Sequence, residues 1–160
     1  MLERAKALLA DGTVNRVVGW ETGEFFYDLT PAVFTADDLG KFVYNGFSGA
    51  NLSKYMIKEC LKDGRALVFL KPCDTYSFNQ LLTEHRVDRD KAYIIGVGCR
   101  GKLDIEKIKA KGITGITAIT GGPDQIKVST IYGEHDIDCK DVRLERCHVC
   151  KGKEHRVFDE

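Results

Sequence analysis

The chain has 160 residues, of which 43% are hydrophobic and 30% are charged, the balance of a globular domain. Its 24 basic and 24 acidic residues cancel, which argues against a broad binding surface for nucleic acid or anionic lipid. No stretch reaches the roughly 20 apolar residues that a membrane span needs, and residues 1–6 lack the apolar core of a signal peptide. We therefore expect a single domain over residues 1–160, located in the cytoplasm.

Hydrophobic spacing predicts five regular elements in the first 65 residues. They are a helix over 2–9, strands over 14–20 and 25–29, a short helix over 37–44 with Thr35 as its N-cap, and a helix over 51–62. A glycine-containing loop precedes the last helix, and its amides offer a contact for a phosphate group. Gly49, Asn51 and Lys54 are therefore candidate cofactor-binding residues for a flavin or a nucleotide, with a plain helix-capping loop as the alternative.

Two continuous apolar runs in the middle of the chain have the pattern of strands buried on both faces. These strands cover 66–70 and 92–97, and helices are predicted over 76–84 and 104–111. This alternation implies a parallel pair of strands with right-handed crossovers. Segments 113–120 and 125–132 flank a Gly-Gly-Pro-Asp turn and predict a hairpin. The expected fold is α/β, a mixed sheet with parallel central strands flanked by helices, plus a β-hairpin in the C-terminal half.

The six cysteines exceed what packing requires, and a reducing compartment disfavours disulfides. Cys147 and Cys150 form a C-x2-C pair, which places two sulfurs on one metal centre from a single turn. Cys73 and Cys99 each follow a predicted buried strand, and the carboxyl edge of an open α/β sheet is where ligands bind. These four thiols together predict a metal site.

The remaining two cysteines have no partner at the spacing of metal ligands. Cys60 lies near the end of a predicted helix and is expected to pack as a small hydrophobic residue. Cys139 is interpreted as a lone thiol. If Cys73 or Cys99 does not bind the metal, Cys139 is the first substitute.

The identity of the metal is left open by this spacing. Structural zinc sites usually take both ligand pairs from close knuckles, and only one close pair is present. Single cysteines in Pro- and Gly-containing turns favour a larger iron–sulfur cluster, with zinc and a metal-free protein as the alternatives. Five neighbours are expected to balance charge, cap a helix or admit the cluster to the backbone: Lys71, Asp74, Gly98, Arg100 and Gly101.

Four segments of the chain resemble the coenzyme F(420) hydrogenase/dehydrogenase beta-subunit family, and most closely its iron–sulfur electron-transfer branch. They are residues 51–55, 69–74, 94–101 and 145–150, the last followed by Phe-Asp-Glu at 158–160. The resemblance spans nearly the whole chain, and the ordered set is more specific than any single motif. It implies that Cys73, Cys99, Cys147 and Cys150 bind one 4Fe–4S cluster. Many members of the family also bind a flavin, so FAD is a second candidate cofactor.

The resemblance further implies an electron-transfer subunit rather than a complete enzyme. Its partners would be redox subunits of a hydrogenase, formate dehydrogenase or heterodisulfide reductase type complex. The ferredoxin-like C-x2-C-x2-C segments usual in the family are absent from this sequence, so we expect one module of a longer protein or a stand-alone remnant. The alternatives are a flavin-dependent oxidoreductase subunit, linked to a deazaflavin or nicotinamide, and a zinc-stabilised interaction module without a redox role.

Overall fold

The computed structural model describes residues 1–160, which divide into two compact units. The first unit comprises residues 1–99 and 151–160, and the second comprises residues 100–150. In neither unit is there a helix with both the length and the apolar character that crossing a membrane requires. A single domain over the whole chain stays a prediction.

The first unit is built on a four-stranded mixed sheet. Its elements are α1 (Leu2–Ala10), β1 (Arg16–Thr22), β2 (Leu29–Phe34), α2 (Met56–Glu59), β3 (Ala66–Leu70), α3 (Pro72–Thr83) and β4 (Ala92–Gly96). The strand order is β2-β1-β3-β4, in which β2 runs antiparallel to β1 whereas β1, β3 and β4 are parallel. The register aligns Val18 with Val68 and Val68 with Ile94. The predicted fold, a mixed sheet with a parallel centre, is confirmed.

The continuous apolar run of β3 explains its central place in this sheet. All five residues of β3 are fully buried, and they pack in one core with Trp20, Phe34 and Phe78. Burial of each Val, Leu or Phe side chain in this core contributes about 1.5–3 kcal/mol. The helix α1 adds Ala5 and Leu8, which are the two buried residues on its apolar face.

Three elements in the first half differ from their sequence predictions. The second strand begins at Leu29 rather than Phe25, and only a 3-10 turn, Leu39–Lys41, forms within 37–44. The expected cap is reversed, because the carboxylate of Asp38 accepts the Thr35 amide at 2.6 Å. The long helix over 51–62 is reduced to a 3-10 turn, Ser53–Tyr55, and the four-residue α2.

The segment 151–160 covers the free edge of β4. The Asp159 amide donates to the Ile94 carbonyl at 2.8 Å, and the Gly96 amide donates to the Glu160 carbonyl at 2.7 Å. The Ile94 amide in turn donates to the Asp159 carboxylate at 2.7 Å. These bonds satisfy backbone groups that an edge strand would otherwise leave open.

The second unit contains a three-stranded antiparallel sheet. Its elements are α4 (Ile105–Lys109), β5 (Ile116–Gly121), β6 (Gln125–Thr130), β7 (Gly133–Asp138) and α5 (Glu145–His148). The predicted hairpin is confirmed as β5 and β6, and β7 pairs with the other edge of β6. The strand β7 was not predicted from the sequence, because only Ile137 in it is buried, which leaves no alternating apolar pattern.

Candidate metal centre

Two candidate ligands follow neighbouring parallel strands of the first unit. Leu70 at the end of β3 and Gly96 at the end of β4 are register partners. Cys73 and Cys99 each come three residues later. Cys73 is exposed and Cys99 is half-buried, and neither is in a disulfide. The structure thus places them at the carboxyl edge, where the sequence predicted them.

Cys73 lies in the first turn of α3, which begins earlier than predicted. Pro72 occupies the first helical position, where its missing N–H costs nothing. The positive end of this 12-residue helix favours an anionic sulfur at Cys73. Sγ of Cys73 lies 3.6 Å from Oδ1 of Asp74, so the protonated thiol donates to that carboxylate.

A buried ion pair supports the turn that carries Cys73. Nζ of Lys71 lies 2.7 Å from Oδ2 of Asp74, with the two side chains 3% and 4% exposed. Oδ2 accepts no hydrogen bond of good geometry, so the attraction is that of two opposite charges. Nζ of Lys71 also donates to the Ala50 carbonyl at 2.8 Å and lies 4.8 Å from the centre of the Trp20 ring. The cation therefore offsets the charge of Asp74 beside the ligand.

Tyr44 is a neighbour of the cysteines that the sequence analysis did not identify. Its hydroxyl donates to the Gly98 carbonyl at 3.3 Å, next to Cys99. The pKa of Tyr44 is raised, first by burial and then by the negative charges of Cys99, Asp74 and Cys73. Nothing in the sequence marks Tyr44 as a site residue, because its place depends on the loop between β2 and α2.

Gly152 is a second residue that the sequence analysis missed. A Cβ atom at this position would lie 2.8 Å from both the N and the Cα atoms of Cys73. Contacts this short do not occur between a real Cβ and backbone, so the two segments lie together because residue 152 has no side chain. In the sequence, Gly152 is two residues after Cys150.

The other two candidate ligands lie in the second unit. Cys147 is part of α5 and Cys150 follows it, and both are half-buried. Sγ of Cys147 accepts a hydrogen bond from the Lys102 amide at 3.4 Å. The Leu144 amide donates a hydrogen bond to the Lys102 carbonyl at 2.8 Å. Hydrogen bonds from backbone amides to sulfur stabilise thiolate ligands and tune the reduction potential of iron–sulfur clusters.

The neighbouring residues predicted around Cys99 have varied surroundings. A Cβ at Gly98 would meet no atom within 4 Å, so no close approach explains this glycine. Gly101 has φ of 107° and lies against the Arg143 side chain, which accounts for a glycine there. Arg100 is exposed, with a nitrogen 3.8 Å from a carboxylate oxygen of Asp124.

Neither unit by itself gathers three or more Cys, His, Asp or Glu side chains in a geometry that could hold a metal ion. The predicted ligand set is divided, with Cys73 and Cys99 in the first unit and Cys147 and Cys150 in the second. None of the four is in a disulfide, Cys73 lies at a helix N-terminus, and Cys147 accepts a hydrogen bond from a backbone amide. This donor chemistry fits a thiolate-ligated iron–sulfur cluster, and the four-cysteine ligand set stays a prediction.

Cys60 and Cys139 are surrounded as packing residues are. Both are buried, and their thiols lie 3.6 Å and 3.7 Å from the carbonyl oxygens of Asp88 and Gly122. Burial raises the pKa of each thiol. Both cysteines therefore remain protonated and poorly suited to bind metal.

The candidate phosphate loop is held by contacts of its own. Oδ1 of Asn51 accepts the Ser53 amide at 2.9 Å, and its Nδ2 donates to the Ser77 hydroxyl at 3.0 Å. The Gly49 amide donates to the Phe47 carbonyl at 2.6 Å, and Nζ of Lys54 lies over the neighbouring Tyr55 ring. The helix dipole here is small because α2 has only four residues. A flavin or nucleotide contact at Gly49, Asn51 and Lys54 stays a prediction.

Comparison with known proteins identifies relatives of this chain. No protein-family model matches it. Over 109 residues, or 65% of this chain, it is 31% identical to F(420)-dependent formate dehydrogenase 1 subunit beta of Methanococcus maripaludis, and it spans 28% of that protein's length. The fold is similar, with a TM-score of 0.73, to a chain in the F(420)-reducing NiFe hydrogenase complex from Methanosarcina barkeri. That match covers 93% of this chain and 57% of the other at 14% identity. The resemblance inferred from the sequence motifs is confirmed.

Proposed function

We propose that this chain is a member of the coenzyme F(420) hydrogenase/dehydrogenase beta-subunit family, as its motifs and relatives support, and that it is an electron-transfer subunit with one 4Fe–4S cluster held by Cys73, Cys99, Cys147 and Cys150. It acts as one part of an oxidoreductase rather than as a complete enzyme. Its partners are redox subunits of a complex of the hydrogenase or dehydrogenase type, as the names of its relatives suggest. A cytoplasmic location belongs to the same proposal.

Two contacts support this ligand set above all else. Within the second unit, Lys102, three residues after Cys99, donates its amide to Sγ of Cys147. Within the first unit, Gly152, two residues after Cys150, lies against the backbone of Cys73. An extended chain spans at most about 3.6 Å per residue, so only short stretches of chain separate these contacts from Cys99 and Cys150. Each contact thus lies only a few residues along the chain from a second candidate ligand.

The residues around Cys73 and Cys99 suit a site for an anionic cluster. A bound 4Fe–4S cluster supplies one-electron transfer, and its potential depends on hydrogen bonds, charge and burial. The positive charge of Lys71 offsets the negative charge of Asp74, and the Asp74 carboxylate therefore adds less negative charge beside the Cys73 sulfur. Tyr44 fixes the Gly98 carbonyl and thereby the turn that carries Cys99.

The first test is the metal content of protein purified without oxygen. We expect about four iron and four acid-labile sulfide per chain, with a broad visible absorbance that bleaches on reduction. Zinc in a colourless protein would support the interaction module instead. A yellow colour that persists after iron removal would support the flavin-dependent alternative. Protein without any of these would overturn the proposal.

Serine variants then test the ligand set. Each of Cys73→Ser, Cys99→Ser, Cys147→Ser and Cys150→Ser is expected to lose most of its iron, because serine is a poor ligand for this cluster. Cys60→Ser and Cys139→Ser are the matched controls, since both thiols are buried among carbonyl contacts. Iron lost from Cys139→Ser but kept in one of the first four would contradict the assignment.

A further inference from the structure

The segment that follows Cys150 makes an unusually close contact with a candidate ligand. A Cβ on Gly152 would stand 2.8 Å from N and Cα of Cys73 and 3.0 Å from its Cβ. The neighbouring atoms are backbone atoms in the first turn of α3, so they cannot rotate away as a flexible side chain could. Any side chain at 152 must therefore displace one of the two segments.

Further contacts fix both sides of this approach. Beyond Gly152, the Arg156 amide donates to the hydroxyl of Thr75, a fully buried residue of α3, at 3.0 Å. The nearest atom of the His155 ring lies 2.9 Å from the position that a Cβ on Gly96 would take. Asp159 pairs with Arg89 at 2.9 Å and with Arg65 at 3.3 Å. The segment is thus attached to α3, to the end of β4 and to two arginines.

We propose that Gly152 is a positioning residue for the cluster: its missing side chain lets the segment after Cys150 lie against the Cys73 backbone and so sets where that sulfur points. This inference rests on the proposed function. Gly152 itself binds no iron. It acts through Cys73, whose backbone it touches, and through Cys150, to which it is joined by a single intervening residue.

The test compares Gly152→Ala with Gly40→Ala in the full chain purified without oxygen. Gly40 is a matched control because it adjoins no candidate ligand in the chain and a Cβ there meets nothing within 4 Å. Gly152→Ala is expected to keep less than about half of the iron of Gly40→Ala, because its new Cβ overlaps backbone. The clusters that remain should show a changed electron paramagnetic resonance spectrum and a shifted reduction potential, which a purely structural role would not produce.

Two further measurements keep the result interpretable. Cluster-free Gly152→Ala should stay folded but unfold at a lower temperature, because its Cβ overlaps backbone, and it should react faster with an alkylating reagent at Cys73, the thiol that its displaced segment adjoins. Asp159→Ala loosens the segment from its other end without adding an atom beside Cys73. It is expected to change the same spectrum and potential in the same direction by less.

Several results would overturn the inference. Equal iron, spectrum and potential in Gly152→Ala and Gly40→Ala would do so, as would iron loss that only follows a general loss of fold. If Gly152→Ala does not fold, unchanged values in a folded Asp159→Ala would still refute it. Wild-type protein without iron would contradict the proposed function instead, and the alkylation rate of Cys73 would then decide the positioning role alone.

Discussion

Replacement of Lys71 by methionine tests whether the ion pair beneath Cys73 is as deeply buried as the structure indicates. Lys71→Met keeps an unbranched side chain of similar length but removes the cation 2.7 Å from Asp74, whose side chain is 4% exposed. Removing one partner of a buried pair costs about 3–5 kcal/mol, because the other charge is left without compensation. The lost bond to the Ala50 carbonyl adds to this, by about 1 kcal/mol.

The loss is large against the roughly 5–15 kcal/mol that stabilises a typical domain. It corresponds to a fall in the unfolding temperature of roughly 10–20 °C for a chain of this size. The assay is thermal and urea unfolding of cluster-free protein, followed by circular dichroism. The double variant Lys71→Met/Asp74→Asn should regain about 2 kcal/mol, since no unpaired charge remains.

Lys62 offers a matched control for the same experiment. It forms an ion pair with Glu59 at the same i,i+3 spacing and the same 2.7 Å distance, but the lysine side chain is 56% exposed. Lys62→Met is expected to cost less than about 1 kcal/mol. If Lys71→Met is no more destabilising than Lys62→Met, or if the double variant is less stable than the single one, the reasoning from burial is wrong.

Three other predictions follow from single contacts. Burial raises the pKa of Asp159, but hydrogen bonds from Arg89 and the Ile94 amide and nearby arginine charges lower it by more, so the pKa lies below its usual value. The contribution of Asp159 to folding stability is therefore complete above about pH 4 and is lost as the pH falls through the folded-state pKa. The stability of Asp159→Asn should accordingly depend less on pH in this acid range. Cys60 and Cys139 in cluster-free protein should be alkylated far more slowly than exposed Cys73, measured by mass spectrometry, because burial raises the pKa of both thiols. Gly64→Ala should lower the free energy of unfolding by at least about 1 kcal/mol, since φ at Gly64 is 79° and the new Cβ would overlap the Asn15 side chain. Gly40→Ala, where a Cβ meets open space and φ is ordinary, should be neutral or slightly stabilising.

Each of these three predictions has a contrary result. Equal acid sensitivity of Asp159→Asn and wild type would show that the Asp159 contacts contribute nothing. Rapid alkylation of Cys60 or Cys139 in folded protein would contradict their burial. A neutral Gly64→Ala would mean that residues 62–65 have another backbone conformation than the one described.

The carboxyl-edge cysteines show how far local pattern reaches. The apolar runs that became β3 and β4 identified two parallel strands, and the positions of Cys73 and Cys99 followed from counting beyond them. Capping residues were a weaker guide. Thr35 was expected to begin a helix, and the Asp38 carboxylate accepts its amide as in a capping box, yet only a 3-10 turn follows. A capping signal alone therefore did not predict the length of the helix.

The strand β7 and the site residues Tyr44 and Gly152 were not predicted for a different reason. The strand β7 carries one buried residue, so it becomes a strand by pairing with β6 rather than through its own pattern. Tyr44 and Gly152 are far from the cysteines they touch in sequence order. Contacts of that kind leave no periodic trace along the chain.

Local patterns in the sequence predicted the parallel centre of the fold, the four candidate thiols and the resemblance to a known family, because buried strands, a C-x2-C pair and ordered motifs all depend on local spacing. Two features became known from the folded structure alone: the Lys71 cation pairs with Asp74 rather than with a sulfur, and the residue that lies against Cys73 is a glycine. The environment of each sulfur consists of charges and backbone from distant parts of the chain, and their mutual placement depends on the packed core.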